Sequence, residues 1–433
     1  MSNGYSAVPN RRRGARLGAS AGLMRYASVI TALLLVTSGC SGGGGERDEE
    51  SETRRATTGG AAKPAEPRSS RWTFDYLSTS RDASVFDIAA ASADEGWALG
   101  LEQKEDGDDA YVMLHRRGTT WRPAEMPIEA PRGAVLANTA LEASGPDNVW
   151  LFATLLDGDS AYGSPEAVRW DGRRWQRVPN ASNIADAVVL APDDVWTLSM
   201  NSPVAKRWDG ESWTMHSLPF EAEALSASGP DDVWAAGYVI PPGGDVPQPE
   251  IMRFDGKTWQ STEVPRFRQA KKPKPEEHAS ISEIVAISSD EAWAFGSHSY
   301  TSGPVGSVLH ETTFVLHWDG SRWQKVPDAL DDAVDIHPYP AMAATADGTG
   351  GFVLGGEQHR TADGSLYEIH GPKPVAGRSK GVTDADRRQR FEVSDLQLVP
   401  GTHQIWAAGY VSLERSNDAN FMRGAVATYN AGG

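Results

Sequence analysis

From Ser70 onward, apolar and polar residues alternate in short runs separated by small and acidic residues. This is the period-two pattern of half-buried strands joined by tight turns. Two elements recur along these runs. The first is a small or acidic turn followed by an aromatic and often by Ala-x-Gly. It reads ADEGWALG (Trp97), PDNVWLFA (Trp150), PDDVWTLS (Trp196), PDDVWAAG (Trp234), SDEAWAFG (Trp293), TGGFVLGG (Phe352) and HQIWAAG (Trp406). The second reads HRRGTTW (Trp121), RWDGRRW (Trp175), RWDGESW (Trp213), RFDGKTW (Trp259) and HWDGSRW (Trp323). Successive first elements lie 38 to 59 residues apart. A period of that size with several short strands per unit predicts a β-propeller.

Asp-Gly between two alternating runs is a strong hairpin signal, because both residues of a two-residue turn take positive φ. With Asp319-Gly320 in the turn, Leu316 falls opposite Trp323, and Leu316, Trp318 and Trp323 share one face. The same register places Val168 opposite Trp175, Met252 opposite Trp259, Leu114 opposite Trp121 and Lys206 opposite Trp213. The chain has 15 Trp, and none lies outside the repeat. Rings that recur at fixed strand positions are packing residues between sheets, whereas ligand-binding rings scatter over loops. Trp72, Trp97, Trp121, Trp150, Trp175, Trp196, Trp213, Trp234, Trp259, Trp293, Trp323 and Trp406 are therefore assigned to structure.

Seven first elements imply an all-β, seven-bladed propeller over residues 71–433. The seventh unit ends in AVATYNAGG with no second tryptophan, and the domain begins with SSRWTFDYLS. Ser70-Arg71-Trp72 matches Ser321-Arg322-Trp323. Trp72 to Leu77 is thus expected to be the outermost strand of the last blade, closing the ring. In blade 6, Ile369-His370-Gly371 stands where Trp-Asp-Gly is expected, so its outer strand is placed irregularly or within 373–393. The DVWAxG and WDGxxW motifs resemble the tryptophan-rich propeller repeats of secreted bacterial proteins, grouped with kelch-like or sialidase-type propellers. That resemblance implies a fold over about 70–430 and no particular chemistry. The sialidase box, Ser-x-Asp-x-Gly-x-x-Trp, separates Asp from Gly, whereas here they are adjacent.

Composition changes the picture mainly at the N-terminus. Residues 1–39 hold five arginines and no acid, then an apolar run from Ala27 to Val36 and the sequence TSGC. A basic start, a short apolar stretch and small residues describe an export signal. With Cys40, the only cysteine, directly after Ser38-Gly39, the segment resembles a bacterial lipoprotein signal. The resemblance implies lipidation of Cys40 and an anchor on the extracytoplasmic face of the cell envelope. Residues 40–70 carry almost no large apolar side chain and are expected to be a disordered tether. The formal charge of −17 becomes −22 once the five arginines are removed, which argues against nucleic acid as a partner.

In a four-stranded blade the a–b and c–d turns share one face, and the b–c loops and d–a linkers share the other. The long irregular segments 101–110, 154–165, 238–250, 266–280, 297–312 and 371–390 all belong to the second face, where binding is expected. Tyr162, Tyr238, Tyr300, His298, Arg266 and Arg268 are the candidate ligand-facing residues there. Asp106, Asp108 and Asp109 lack the EF-hand spacing and read as a solvated acidic loop. No histidine pair has metal-ligand spacing, and no nucleophile elbow, zincin helix or phosphate loop occurs, so no metal, cofactor or catalytic residue is assigned. The repeated acids Glu95, Asp194, Asp232 and Glu291 read as turn formers. A monomeric binding or scaffolding module for a protein or cell-wall polymer is the expectation. The alternatives are a polysaccharide-acting hydrolase or lyase, and an accessory or sensor subunit of a membrane complex.

Overall fold

The structure is a computed structural model. It describes residues 68–432 except 81, 104–108, 132, 157–162, 245, 269–276, 303–307, 328, 331–341, 377–380 and 414–420. The signal segment, Cys40 and residues 40–67 of the tether lie outside the described residues. No helix of the described part is long and apolar enough to cross a membrane.

Seven four-stranded antiparallel sheets follow one another along the chain. In six of them the strand order is the chain order, as a propeller of meander blades requires. The seventh joins the two ends of the domain. Strand β1 (Thr73–Leu77) lies against β28 (Phe421–Asn430), outside β27 (Gln404–Leu413) and β26 (Arg390–Leu398). Thr73 faces Thr428 and Leu77 faces Ala425. Ser69 N–H donates to Asn430 C=O at 2.8 Å, and His370 N–H donates to Ser70 C=O at 3.0 Å. The expected closure is therefore observed, and ordered contacts begin just before Ser70.

The core is divided into wedges, each shared by two neighbouring blades. The tryptophans explain why. The strand-b ring of one blade sits between the two rings that bracket the c–d turn of the next. Trp97 lies 5.1 Å from both Trp170 and Trp175. Trp150 meets Trp208 and Trp213, Trp196 meets Phe254 and Trp259, and Trp234 meets Trp318 and Trp323. Trp406 of blade 7 closes the circle on Trp121 of blade 1, with the Arg116 guanidinium 4.6 Å from its ring in place of a first tryptophan. Large rigid rings at centroid separations of 4.9 to 6.2 Å fill the gap between sheets that diverge outward.

Two details differ from the sequence reading. Trp323 faces Trp318, not Leu316. Trp175 likewise faces Trp170, Trp213 faces Trp208, Trp259 faces Phe254 and Trp121 faces Arg116. The pairing is displaced by two residues, so the shared face survives while the partners change. In blades 2 to 5 the cause is the aspartate, whereas in blade 1 Gly118-Thr119 make a two-residue turn closed by Arg117 opposite Thr120. Asp319 accepts the Ser321 hydroxyl and the amides of Ser321 and Arg322, which hold its carboxyl down to about 2. Its side chain thus builds a longer turn in which only Gly320 takes positive φ, at 87°. In blade 6, the outer strand is β25 (Leu366–Glu368), ahead of Ile369 rather than within 373–393. Its turn is Asp363-Gly364, and each of its four strands spans only three residues.

The Ala-x-Gly of the first element also has a geometric reason. In blade 5, β18 (His278–Ser288) bulges between Ile281 and Glu283 where it pairs with β19 (Glu291–Ser302). The bulge drives the Ser280 carbonyl toward Gly296, where a Cβ would meet that oxygen at 2.2 Å and Phe314 at 2.5 Å. Gly296→Ala is expected to destabilise the fold by about 1–3 kcal/mol, the range for overpacking. A urea midpoint equal to that of the unaltered chain would show that the bulge yields freely.

Candidate functional site

Three regions hold polar side chains in organised positions. The first is the central axis. Each innermost strand has no ladder partner on its inner edge, so its edge N–H groups need acceptors. The neighbouring blade supplies several of them. Asp186 accepts the Leu225 amide at 2.6 Å, Asp395 that of Ile88 at 2.9 Å, Ser226 that of Ala286 at 3.0 Å and Thr345 that of Leu398 at 3.2 Å. Asp87 accepts the Thr139 hydroxyl, and Glu283 accepts the Ile284 amide. Glu142 joins this belt, but among the described residues no hydrogen bond reaches its carboxyl, and the residue is only 3% exposed. Burial, then the charges of Asp186, Asp395, Asp87 and Glu283, push its carboxyl well above the usual range. A residue of blade 2 can feel acids of blades 1, 3, 5 and 7 together only at the axis.

The second region is the turn face. The four repeated acids do more than form turns. Asp194 binds Arg207 at 2.8 Å, Asp232 binds Arg253 at 2.5 Å, Glu95 binds His115 at 3.0 Å and Glu291 binds His317 at 2.8 Å. Each cation or imidazole lies on the tryptophan opposite it in the ladder, as His115 does on Trp97 at 3.8 Å and Arg253 on Trp234 at 4.6 Å. Blade 6 to blade 7 uses a different link. His359 Nδ1 lies 2.9 Å from the Tyr429 hydroxyl and its Nε2 lies 3.1 Å from Asp347. His359 and Asp347 are fully buried, so the triplet is a seam and not an open reactive site.

The third region is the loop face, which holds the candidates named from the sequence. Tyr162 and the acids Asp106 and Asp108 lie outside the described residues. Tyr238 is in strand β15 (Asp232–Val239) and Tyr300 is in β19, so both stand at strand ends rather than in loops. His298 is buried and bonded at 2.9 Å to buried Glu277. It is thus a support beneath the surface, which corrects its assignment as ligand-facing. Arg266 is tied to Glu250 at 3.4 Å, Arg268 is exposed, and Phe267 between them is buried against Phe314 at 3.9 Å. The basic remainder, 269–276, is not described.

Blades 4 and 5 bring the remaining rings together. Along β15, Trp234, Ala236 and Tyr238 share the side that meets blade 5. Along β20 (Val308–Trp318), His310 shares the side of Leu316 and Trp318, which meets blade 4, and Tyr300 lies beside it in the ladder. Tyr300 and His310 stack at 4.7 Å and 11°, and Tyr238 meets His278 edge-on at 5.0 Å. His310 Nε2 also lies 2.7 Å from the Ser302 hydroxyl. Burial pulls the His278 imidazole below its ordinary range. Sequence reasoning missed His278 and His310, since neither carries a motif. Their grouping depends on which blade faces which.

Chain direction fixes how these faces sit relative to the termini. Strand b starts at the turn face, and so does strand d. Since β1 occupies the d place of blade 7, the chain enters the domain at the turn face, and β28, in the c place, ends there too. The loop face is turned away from both. Among the described residues, no group of three or more His, Cys, Asp or Glu is placed to hold a metal ion.

No protein family and no curated protein matches this chain. Solved structures are similar to it in shape at low identity. A Penicillium chrysogenum alpha-L-arabinanase is 11% identical with a TM-score of 0.39, covering 85% of this chain and 99% of that one. A protein of unknown function from Dyadobacter fermentans is 12% identical with a TM-score of 0.40, covering 85% and 100%. The six-bladed fungal lectin of Aleuria aurantia is 13% identical with a TM-score of 0.35, covering 65% and 90%. At this level the likeness concerns chain shape and carries no statement about activity.

Proposed function

We propose that this chain is a membrane-anchored, extracytoplasmic propeller that serves as a binding or scaffolding module for a protein or an envelope polymer. One observation carries the reading. Among the described residues, nine large apolar side chains are exposed, and six of them (Val135, Tyr238, Ile240, Val308, Leu309 and Val382) are on the loop face. Of the other three, Met215 and Tyr367 lie along outer strands, and Leu366 begins one at the turn face. Exposed apolar surface gathered on one face marks an interaction surface. That face points away from the end of the domain to which Cys40 is tethered, as a displayed module needs.

In-cell crosslinking of the full chain is expected to capture a partner that the double variant Ile240→Ser, Leu309→Ser loses and that Met215→Ser keeps. Equal capture by all three would place the interaction elsewhere. Capture of a single membrane protein only when Cys40 is intact would favour the accessory-subunit reading. A polysaccharide-acting hydrolase or lyase draws its support from the axial carboxylates, among which burial and the neighbouring acids raise the Glu142 carboxyl well above its usual range. Glycan turnover by the full chain that vanishes in Glu142→Gln would establish it.

A further inference from the structure

We infer that the shelf between blades 4 and 5 on the loop face, formed by Tyr238, His278, Tyr300 and His310, is a binding site for an uncharged glycan chain. The inference rests on the binding-module reading and names the ligand class of its loop face. The four rings come from four strands of blades 4 and 5 and meet in two pairs, Tyr238 with His278 across the inter-blade gap and Tyr300 with His310 within blade 5. They are partly exposed, Tyr238 at 38%. The Tyr300–His310 stack and the Tyr238–His278 contact hold the rings in fixed planes, so little side-chain freedom remains to be lost on binding.

Flat, fixed rings carrying hydroxyl and imidazole groups at their edges suit a pyranose, which offers an apolar face and a rim of hydroxyls. Charge argues for a neutral sugar. Beside the shelf Arg266 is paired with Glu250 while Arg268 is exposed, and Glu277 beneath it is paired with His298. Lys325 lies over the Phe267 ring at 3.5 Å and donates to the Arg266 carbonyl, so its ammonium is also engaged. The acids and cations bound here are already engaged, which leaves the ring hydroxyls and imidazoles to recognise the ligand. The support below is rigid as well, since buried His298 sits 5.8 Å from Tyr300 and 5.9 Å from Phe267.

The test is affinity electrophoresis of the full chain, extracted in detergent, through gels containing amylose, laminarin, xylan or glycol chitin, with heparin as the charged comparison. At least one neutral polymer is expected to retard the protein, with retardation unchanged between low and high salt. Tyr300→Ala and Tyr238→Ala are each expected to weaken that binding about tenfold or more. Tyr300→Phe, which keeps the ring, should retain most of it. Thermal melting of each variant separates loss of the site from loss of the fold. Retardation by no neutral polymer, or by heparin alone, would overturn the inference, as would equal retardation of a folded Tyr238→Ala, Tyr300→Ala double variant. If the glycans fail while Ile240 and Leu309 still govern capture of a protein in cells, the module reading stands and the glycan assignment alone falls.

Discussion

Trp72→Ala is expected to be among the most destabilising single substitutions in this chain, at about 3–5 kcal/mol, the range for emptying a buried aromatic site. The indole is 1% exposed, and its N–H donates to the Gly356 carbonyl at 2.6 Å. It packs 5.5 Å from Tyr429 and 6.1 Å from Phe391. Its place is unlike that of the other rings, because it precedes the one strand that joins the two ends of the domain. Removing it loosens β1 as well as the wedge between blades 6 and 7, and an unpaired β28 would leave an open sheet edge. Met215→Ala, on a side chain 71% exposed, should change stability by no more than about 0.5 kcal/mol. Urea midpoints and limited proteolysis of both variants check this. A Trp72→Ala midpoint as close to that of the parent as Met215→Ala would mean that closure is held by the β1 ladder alone.

Glu142→Gln is expected to stabilise the protein at pH 7 to 8, by about 2 kcal/mol, the scale for an uncompensated buried polar group. In the folded state, burial raises the carboxyls of Glu142 and Asp186 well above their ordinary range, with further push from Asp395 and Asp87. An acid whose folded pKa is raised contributes stability that is complete below its unfolded value, near pH 4. That contribution is lost as pH rises through the folded value. The parent should therefore weaken as pH rises above about 4, the unfolded value, and Glu142→Gln should flatten that slope. The opposite sign belongs to Asp347. Although burial opposes it, bonds from His359, Thr349 and Gly351 hold its carboxyl low, so its contribution is present above the unfolded value and fades as the solution turns acid. Melting temperatures from pH 4 to 9 decide the matter, and an identical profile for the two proteins would place a counter-charge beside Glu142.

The repeat was legible because its signals are local. Trp234, Ala235 and Gly237 sit on one strand for reasons internal to one blade and its neighbour, and seven such strands announce the fold. Closure could be read because Ser70-Arg71-Trp72 copies Ser321-Arg322-Trp323. The turn register escaped because Asp319 spends its carboxylate on two backbone amides, which Asp-Gly spacing alone does not reveal. The outer strand of blade 6 escaped because it is three residues long and carries Tyr367, three residues after Gly364, in the place that Trp323 takes after Gly320. The axial acids escaped for a deeper reason. Asp87, Glu142, Asp186, Glu283 and Asp395 are spread over more than three hundred residues. They meet only once the ring has closed, so no window of sequence contains them together.

The direction of β1 has a mechanical consequence. A pull on the chain ahead of Arg68, resisted by whatever grips the loop face, runs along β1 from its first residue. The ladder bonds from Thr73 to Leu77 then share the load in shear, and the Trp72 ring acts as a wedge at the loaded end. A strand pulled at right angles to its ladder would instead open bond by bond, like a zip. A five-residue seam can thus serve as a strain-bearing joint, whose lifetime under tension is set by how fast it lets go rather than by how stable the ring is at rest.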